Sequence, residues 1–375
     1  MKKGDYNETK VASTLLITGL VVLSLIFMYE QIRFRIQNSS KQKSDVIQFS
    51  PWSDAYDAGD VLYTGQIYHI FFHSLIIYPE LANRDRAHKS LFEDYMITRD
   101  QFKKILPELY KNNFVLIDID SIYSSNSDGT VQKKPIFLPK GKKPLILSID
   151  DLSYYRSQQG DGFANKLVID ETGKVATEVI TPEGKKIVTR DGDLVPILDD
   201  FVSSHPEFSI QGAKGVIAVT GFDGVLGYRT NTIRPLPYVD EATSAKRVID
   251  VLKNTGWRFA NHSYSHDPSF RNDTIALDVL KKDTEQWDAQ VKPLVGDTHI
   301  YIGPFGQVFG PYDSRRQYLV SHGYTLLCGV GMDLYLQYFD KYIVMDRADI
   351  DGYRLTHTPE LLKLYFDPEV ILDQN

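Results

Sequence analysis

Pro144-Leu145-Ile146-Leu147-Ser148-Ile149-Asp150-Asp151 is an apolar run of strand length that stops at two adjacent carboxylates. Runs of four to eight apolar residues between polar boundaries suit buried strands, whereas a helix usually takes ten or more. Outward from this run, short β-rich segments alternate with helical patterns. Upstream lie a strand-like stretch at 65–74, a helix over 100–112 and a second stretch at 114–119; downstream come strands at 215–220, 257–260 and 298–303, separated by helices over 242–254 and 275–292 and followed by one over 313–322. This alternation predicts parallel strands joined by helical crossovers. The segment 161–193 departs from it. Strand-like pieces around Asp170-Glu-Thr-Gly173 and Pro182-Glu-Gly184 predict an insertion of β-hairpins with glycine turns. No internal repeat is evident.

The length, 375 residues, suits one catalytic domain with small appendages. A formal net charge of -7, with basic residues clustered only in short pairs such as Lys142-Lys143 and Lys185-Lys186, excludes nucleic acid as the expected partner. The single cysteine, Cys328, has no internal disulfide partner, and its setting Thr325-Leu-Leu-Cys-Gly predicts a buried strand in which the thiol is a small hydrophobe. No charged residue falls between positions 11 and 29, and a helix of that length measures about 28 Å, close to the roughly 30 Å of bilayer hydrocarbon. The run ends without an Ala-x-Ala type cleavage signal, which favours an uncleaved anchor. The expected organisation is therefore a tail over 1–10, a transmembrane anchor over 11–29, a polar stalk over 30–60 and a catalytic domain over 61–375. Basic residues flank the span on both sides and leave its orientation open.

Three polar clusters follow predicted strands, at the sheet edge where parallel α/β folds gather catalytic groups. The first is Asp150-Asp151, which taken alone also suits a turn or helix cap. The second is Asn261-His262-Ser-Tyr-Ser-His266, whose histidines share a face in a helix and can also converge in a loop. The third is Gly303-Pro304-Phe305-Gly306, a proline-fixed turn. Together, two imidazoles and a carboxylate make a three-ligand site with positions left for water and substrate. Asp151, His262 and His266 are the expected ligands of a divalent ion, and Asp150 the adjacent base. Zinc is the default, with cobalt, nickel or manganese able to take the same ligands.

These residues resemble the polysaccharide deacetylases of carbohydrate esterase family 4, which share the NodB homology domain. Coverage runs from about Ile67 to Leu355. The first motif of that family, Thr-Phe-Asp-Asp-Gly, corresponds to Ser148-Ile149-Asp150-Asp151-Leu152; the second, His-(Ser/Thr)-x-x-His, is met in full by His262 to His266; the third, Arg-x-Pro-Tyr-Gly, corresponds to Ile302-Gly303-Pro304-Phe305-Gly306. The resemblance implies a distorted (β/α) barrel with fewer than eight strands, a base at Asp150, a metal ligand at Asp151 and an oxyanion donor in the Phe305 backbone N–H. It implies an acetylated amino-sugar polymer as substrate, and hence a membrane-anchored domain outside the cell with its amino terminus inside.

The departures are equally specific. Ile302 stands where the family has the arginine that orients the base, so Arg347, in Asp346-Arg-Ala-Asp349, is the candidate replacement. The leaving-group acid has two candidates, His357 in Leu355-Thr-His357 and His73 in Ile70-Phe-Phe-His73-Ser74. Two further readings follow: a metal-dependent amidase or esterase for another acyl group, and a wall-binding protein that has lost catalysis. The inserted hairpins at 161–193 would cover the sugar groove or meet a partner.

Overall fold

The computed structural model describes residues 57, 59–82, 92–231 and 237–372. The span expected over 11–29 lies outside them. Among the described residues no helix is long and apolar enough to cross a membrane.

Seven parallel strands close a barrel: β1 (Tyr68–Phe72), β2 (Lys143–Ile149), β3 (Gly215–Val219), β4 (Trp257–Asn261), β5 (Ile300–Ile302), β6 (Leu326–Val330) and β7 (Ile343–Asp349). Each pairs with its neighbour in sequence, and β7 returns to β1 through Ala348↔Ile70 and Asp349↔Phe71. The barrel is uneven. β2 meets β3 only at Ser148 and Ile149, its first residues pairing instead with an outer strand, Phe114–Leu116. β4 and β5 share one residue pair, Asn261↔Tyr301. Between β6 and β7 there is no helix among the described elements, and Leu336–Tyr338 runs back antiparallel on β7.

The two-residue period of the strands sorts side chains into two layers. Ile146, Val216, Ala218, Ala260, Ile300, Ile302, Leu326, Cys328, Ile343 and Met345 make one buried cluster inside the barrel. Ile70, Phe72, Leu145, Leu147, Ile149, Ile217, Val219, Trp257 and Phe259 face the helices. The helix Arg99–Lys111 shows how local sequence serves this packing. Thr98 and Gln101 form a reciprocal cap, and Phe102, Ile105, Leu106 and Leu109 bury the stripe that spacing of three and four residues produces. Cys328 is fully buried on β6, as its sequence predicts.

The insertion folds as one antiparallel meander, Ala164–Ile169, Val175–Ile180 and Lys186–Thr189, turning at Gly173 and Gly184 with φ of 82° and 79°. Leu167, Val175 and Val179 belong to the main core, so this sheet is built into the domain. The helix that follows, Leu194–Ser204, is not anticipated from the sequence, because Leu194 to Leu198 form an unbroken apolar run and its polar residues, Asp199, Asp200, Ser203 and Ser204, all come after it. Its signal is Asp193, the N-cap. One carboxylate oxygen of Asp193 accepts from the Leu75 and Leu194 N–H groups at 2.9 and 2.7 Å, and the other takes the Tyr154 hydroxyl at 2.6 Å.

Asp193 thus joins the end of β1, the loop after β2 and this helix. Asp193→Ala should cost about 2 kcal/mol or more in urea unfolding, from the lost cap and the orphaned buried hydroxyl. Burial raises the Asp193 carboxyl to about 6 against the pull of its donors. A folded-state value above the unfolded one favours folding below pH about 4, and that contribution is lost as pH rises through 6. Asp193→Asn should therefore gain stability relative to the parent chain between pH 4 and pH 6; a constant difference across that window would contradict the assignment.

Candidate active site

The C-terminal ends of the strands converge on one mouth. Asp150 and Asp151 follow β2, Thr220 follows β3, His262 follows β4, the Pro304–Gly306 turn follows β5, and Arg347 lies on β7. His73 follows β1.

Asp150 continues the inward row of β2 after Ile146 and Ser148 and is 4% exposed. Its backbone N–H donates to Phe72 O at 2.8 Å, and Arg347 takes both carboxylate oxygens, Nη1 to Oδ1 at 2.6 Å and Nη2 to Oδ2 at 2.9 Å. The guanidinium is completely buried. It also donates to Ser148 Oγ and Gly329 O, each at 3.1 Å, and stands 4.2 Å over the Phe71 ring. Burial alone would raise the Asp150 carboxyl, but the charges of Arg347 and His262 overcome it and hold the group at about 2. Below it, His69 donates or accepts at Ser148 Oγ, 3.1 Å away, and burial together with Arg347 keeps its imidazole neutral.

Asp151 departs from the strand direction with φ of 57°. A residue next to Asp150 in an extended strand would point away from it; the left-handed turn brings both carboxylates to the same space. Burial again opposes ionisation of Asp151, and His266, His262, His73 and the Tyr155 hydroxyl outweigh it.

The His262–His266 segment is a loop, not a helix. Ser263 and His266 have φ of 57° and 50°. Asp283, on the helix Leu277–Gln290, accepts the N–H groups of Tyr264 and Ser265 at 2.7 and 2.9 Å, and Ser263 Oγ accepts the N–H of His266 at 2.9 Å. His262 Nδ1 lies 2.7 Å from Ile302 O, where it donates, so Nε2 is left as the ligand atom facing the carboxylates. His262 Nε2 is 3.8 Å from Asp151 Oδ1 and 4.0 Å from Asp150 Oδ2; His266 Nε2 is 3.7 Å from Asp151 Oδ2.

One ligand atom each from Asp151, His262 and His266 lies within 4.8 Å of the others. Ligands about 2.1 Å from a tetrahedral ion stand about 3.4 Å apart, so this cluster fits a divalent ion with little movement. Phe305 has φ of 56°, and its ring sits between His266, at 4.4 Å between centroids, and the Arg271 guanidinium, 4.6 Å above it.

The two candidate acids part company. His357 ends the helix Gly352–His357, exposed, stacked on Tyr353 and with Nδ1 2.8 Å from the Thr356 hydroxyl. The charge of His73 instead acts on Asp150, Asp151 and Asp351. Ser148, which opens the first motif, completes the surroundings with Tyr155, Thr220 and His69, and these last three carry no motif of their own in the sequence. Their only signal is position, at or near the ends of the strands that hold the ligands.

The Asp150–Arg347 pair allows a test independent of catalysis. Arg347→Met leaves a buried carboxylate without a partner and should cost about 3–5 kcal/mol. Asp150→Asn in the same chain should recover part of that loss, giving a coupling energy well above zero in the double-mutant cycle. Strict additivity would mean that the two side chains do not depend on each other.

No family model matches the chain, and no curated protein matches it. Solved structures similar to it include the Streptococcus pyogenes deacetylase PplD in complex with acetate, 14% identical, covering 81% of this chain and 99% of that one with a TM-score of 0.43. A Bacillus anthracis protein, BA0330, assigned as a polysaccharide deacetylase, is 11% identical over 80% of this chain and 69% of its own, with a TM-score of 0.46. IcaB from Ammonifex degensii is 13% identical over 77% and 93%, with a TM-score of 0.41. Identity at this level assigns no role to any residue of this chain.

Proposed function

We propose that the chain is a metal-dependent hydrolase that removes acetyl groups from the amino sugars of a cell-surface polysaccharide. The observation that carries this reading is the placing of a buried, arginine-held carboxylate beside a His-His-Asp cluster at the mouth of the barrel.

A divalent ion held by Asp151, His262 and His266, zinc by donor preference, would acidify water and polarise an acyl oxygen. The remaining work falls to the chain. Asp150 stays ionised because the Arg347 guanidinium, the largest of the charges acting on it, holds its carboxyl low against burial. Each of its oxygens keeps a lone pair beyond the Arg347 bond, so it accepts the proton of the attacking water. Arg347, on β7, supplies the orienting guanidinium that Ile302 cannot. The backbone N–H of Phe305, in the turn closed by Gly306 N to Gly303 O and Gln307 N to Pro304 O, donates to the developing oxyanion. His73 donates a proton to the amine as the C–N bond breaks, releasing acetate and a free amino sugar. We give that role to His73 over His357 because His73 follows β1 at the mouth, whereas His357 is exposed at the end of its helix and stacked on Tyr353.

The rim suits a polymer. Phe222, Phe305, Tyr312 and Tyr335 are exposed in the segments that leave the C-terminal ends of β3, β5 and β6, Tyr353 is exposed on the helix that follows β7, and Tyr312 is 93% exposed. Aromatic faces stack on the apolar faces of sugar rings, and several around one mouth can hold successive units. A polymer substrate in turn places the domain outside the cell, with an anchor over 11–29 and a tail over 1–10 inside.

Zinc-loaded protein should release acetate from chitin oligomers or peptidoglycan, lose that activity to a chelator and regain it with zinc. Asp150→Asn should lower kcat by about a hundredfold or more. Acetate release that survives this change would refute the mechanism, and metal binding without acetate release would favour another acyl substrate or a binding role. Tyr312→Ala should raise KM for long oligomers about threefold to tenfold with kcat nearly unchanged; an unaltered KM would remove Tyr312 from the polymer surface.

A further inference from the structure

The mechanism above makes no use of Tyr155, although its hydroxyl lies 2.5 Å from Oδ1 of Asp151. The same hydroxyl is 3.0 Å from Thr220 Oγ1, which is 3.0 Å from Ser153 Oγ. Ser153 and Thr220 are both fully buried, and the Tyr155 ring stacks on Phe222 with centroids 4.9 Å apart and planes 26° off parallel.

The direction of this chain of bonds is fixed by its end. An ionised carboxylate only accepts, so Tyr155 must spend its single proton on Asp151. Thr220 must then donate to Tyr155, and Ser153 to Thr220. Each bond polarises the next and strengthens the one that reaches Asp151. The phenol therefore holds Oδ1, which stands 3.8 Å from His262 Nε2, while Oδ2 faces His266 Nε2 at 3.7 Å.

We infer that Tyr155 is a positioning residue for the metal site, fixing the Asp151 carboxylate in the orientation in which its oxygens face His262 Nε2 and His266 Nε2. This inference rests on the metal-site reading. Without the phenol, Asp151 would lose its orientation about the Cβ–Cγ bond, and neighbours that orient metal ligands in this way change affinity by about 10–100-fold when removed. Phe222 guards the arrangement from the solvent side, and Thr220, at the end of β3, sets the height of the hydroxyl.

Zinc affinity measured by competition with a chromogenic chelator, together with thermal unfolding of the metal-free protein, tests this. Tyr155→Phe keeps the ring and its stack on Phe222. It should bind zinc about tenfold or more weakly while the metal-free chain unfolds at nearly the parent temperature, and Thr220→Val should shift affinity in the same direction by less. Equal zinc affinity in the parent and Tyr155→Phe would overturn the inference and leave the metal site standing. Weaker binding accompanied by a comparable loss of metal-free stability would overturn it too, by making Tyr155 a prop of the fold. A parent chain that takes up no zinc would overturn the metal reading itself, and this inference with it.

Discussion

The buried pair of Asp150 and Arg347 is the constraint on which the mouth of the barrel depends. A guanidinium with no exposure needs a partner at each nitrogen, and here two bonds go to Asp150, one to Ser148 and one to Gly329. The pair also spans β1, linking the end of β2 to β7 where β7 and β1 share only two residue pairs. Such an ion pair adds little net stability over an apolar pair of the same volume, but a missing member leaves a charge that the interior cannot solvate. The selection is for orientation: both oxygens of Asp150 are fixed by a planar fork that a lysine could not reproduce.

From this pair the geometry of the site follows by strand parity. Arg347, Ser148, Asp150 and His69 occupy inward positions, the same row that Ala218, Ala260 and Cys328 fill with small apolar side chains. Small neighbours leave room for the buried polar group at the top of the barrel. Asp151 would face outward by parity, and its positive φ reverses that. His266 and Phe305 also carry positive φ. With Ser263, these are four non-glycine residues in the left-handed region at one mouth, and they store backbone strain where the candidate ligands and the turn meet, which is where such strain is expected if it serves a site.

The parallel strands, the sheet edge they share and the convergence of Asp151, His262 and His266 were legible in the sequence because each rests on local pattern. The run ending at Asp150-Asp151, the strand before His262 and the strand around Cys328 all sit where apolar periodicity puts them, within a residue or two at their ends. The helix Leu194–Ser204 was hidden because its first turn is an unbroken apolar run, and the polar side of the helix shows only from Asp199 onward, leaving a short stretch of period to read. The hairpin Tyr123–Ser125 with Val131–Lys133 was hidden because short exposed strands carry little apolar signal. Tyr155 and His69 were invisible for another reason: their importance lies in hydrogen bonds to residues distant in the chain or redirected by a turn, which spacing does not encode.

Ile302 shows most clearly what a motif does and does not specify. In the resemblance to the deacetylases, its position is the one that departs, and a side-chain reading makes the departure look damaging. In the fold, the Ile302 carbonyl accepts the His262 Nδ1 proton at 2.7 Å, a task that any residue performs with its backbone. Its side chain joins the inward cluster with Ile300 and Cys328. The position therefore still fixes the tautomer of a ligand while the guanidinium comes from β7, two strands from Asp150 around the ring on the side of β1. An arginine on β5 and one on β7 can serve the same carboxylate because both strands point alternate residues into a barrel narrow enough to cross. What the chemistry requires is a positive fork at Asp150, and the closed barrel offers more than one strand from which to deliver it.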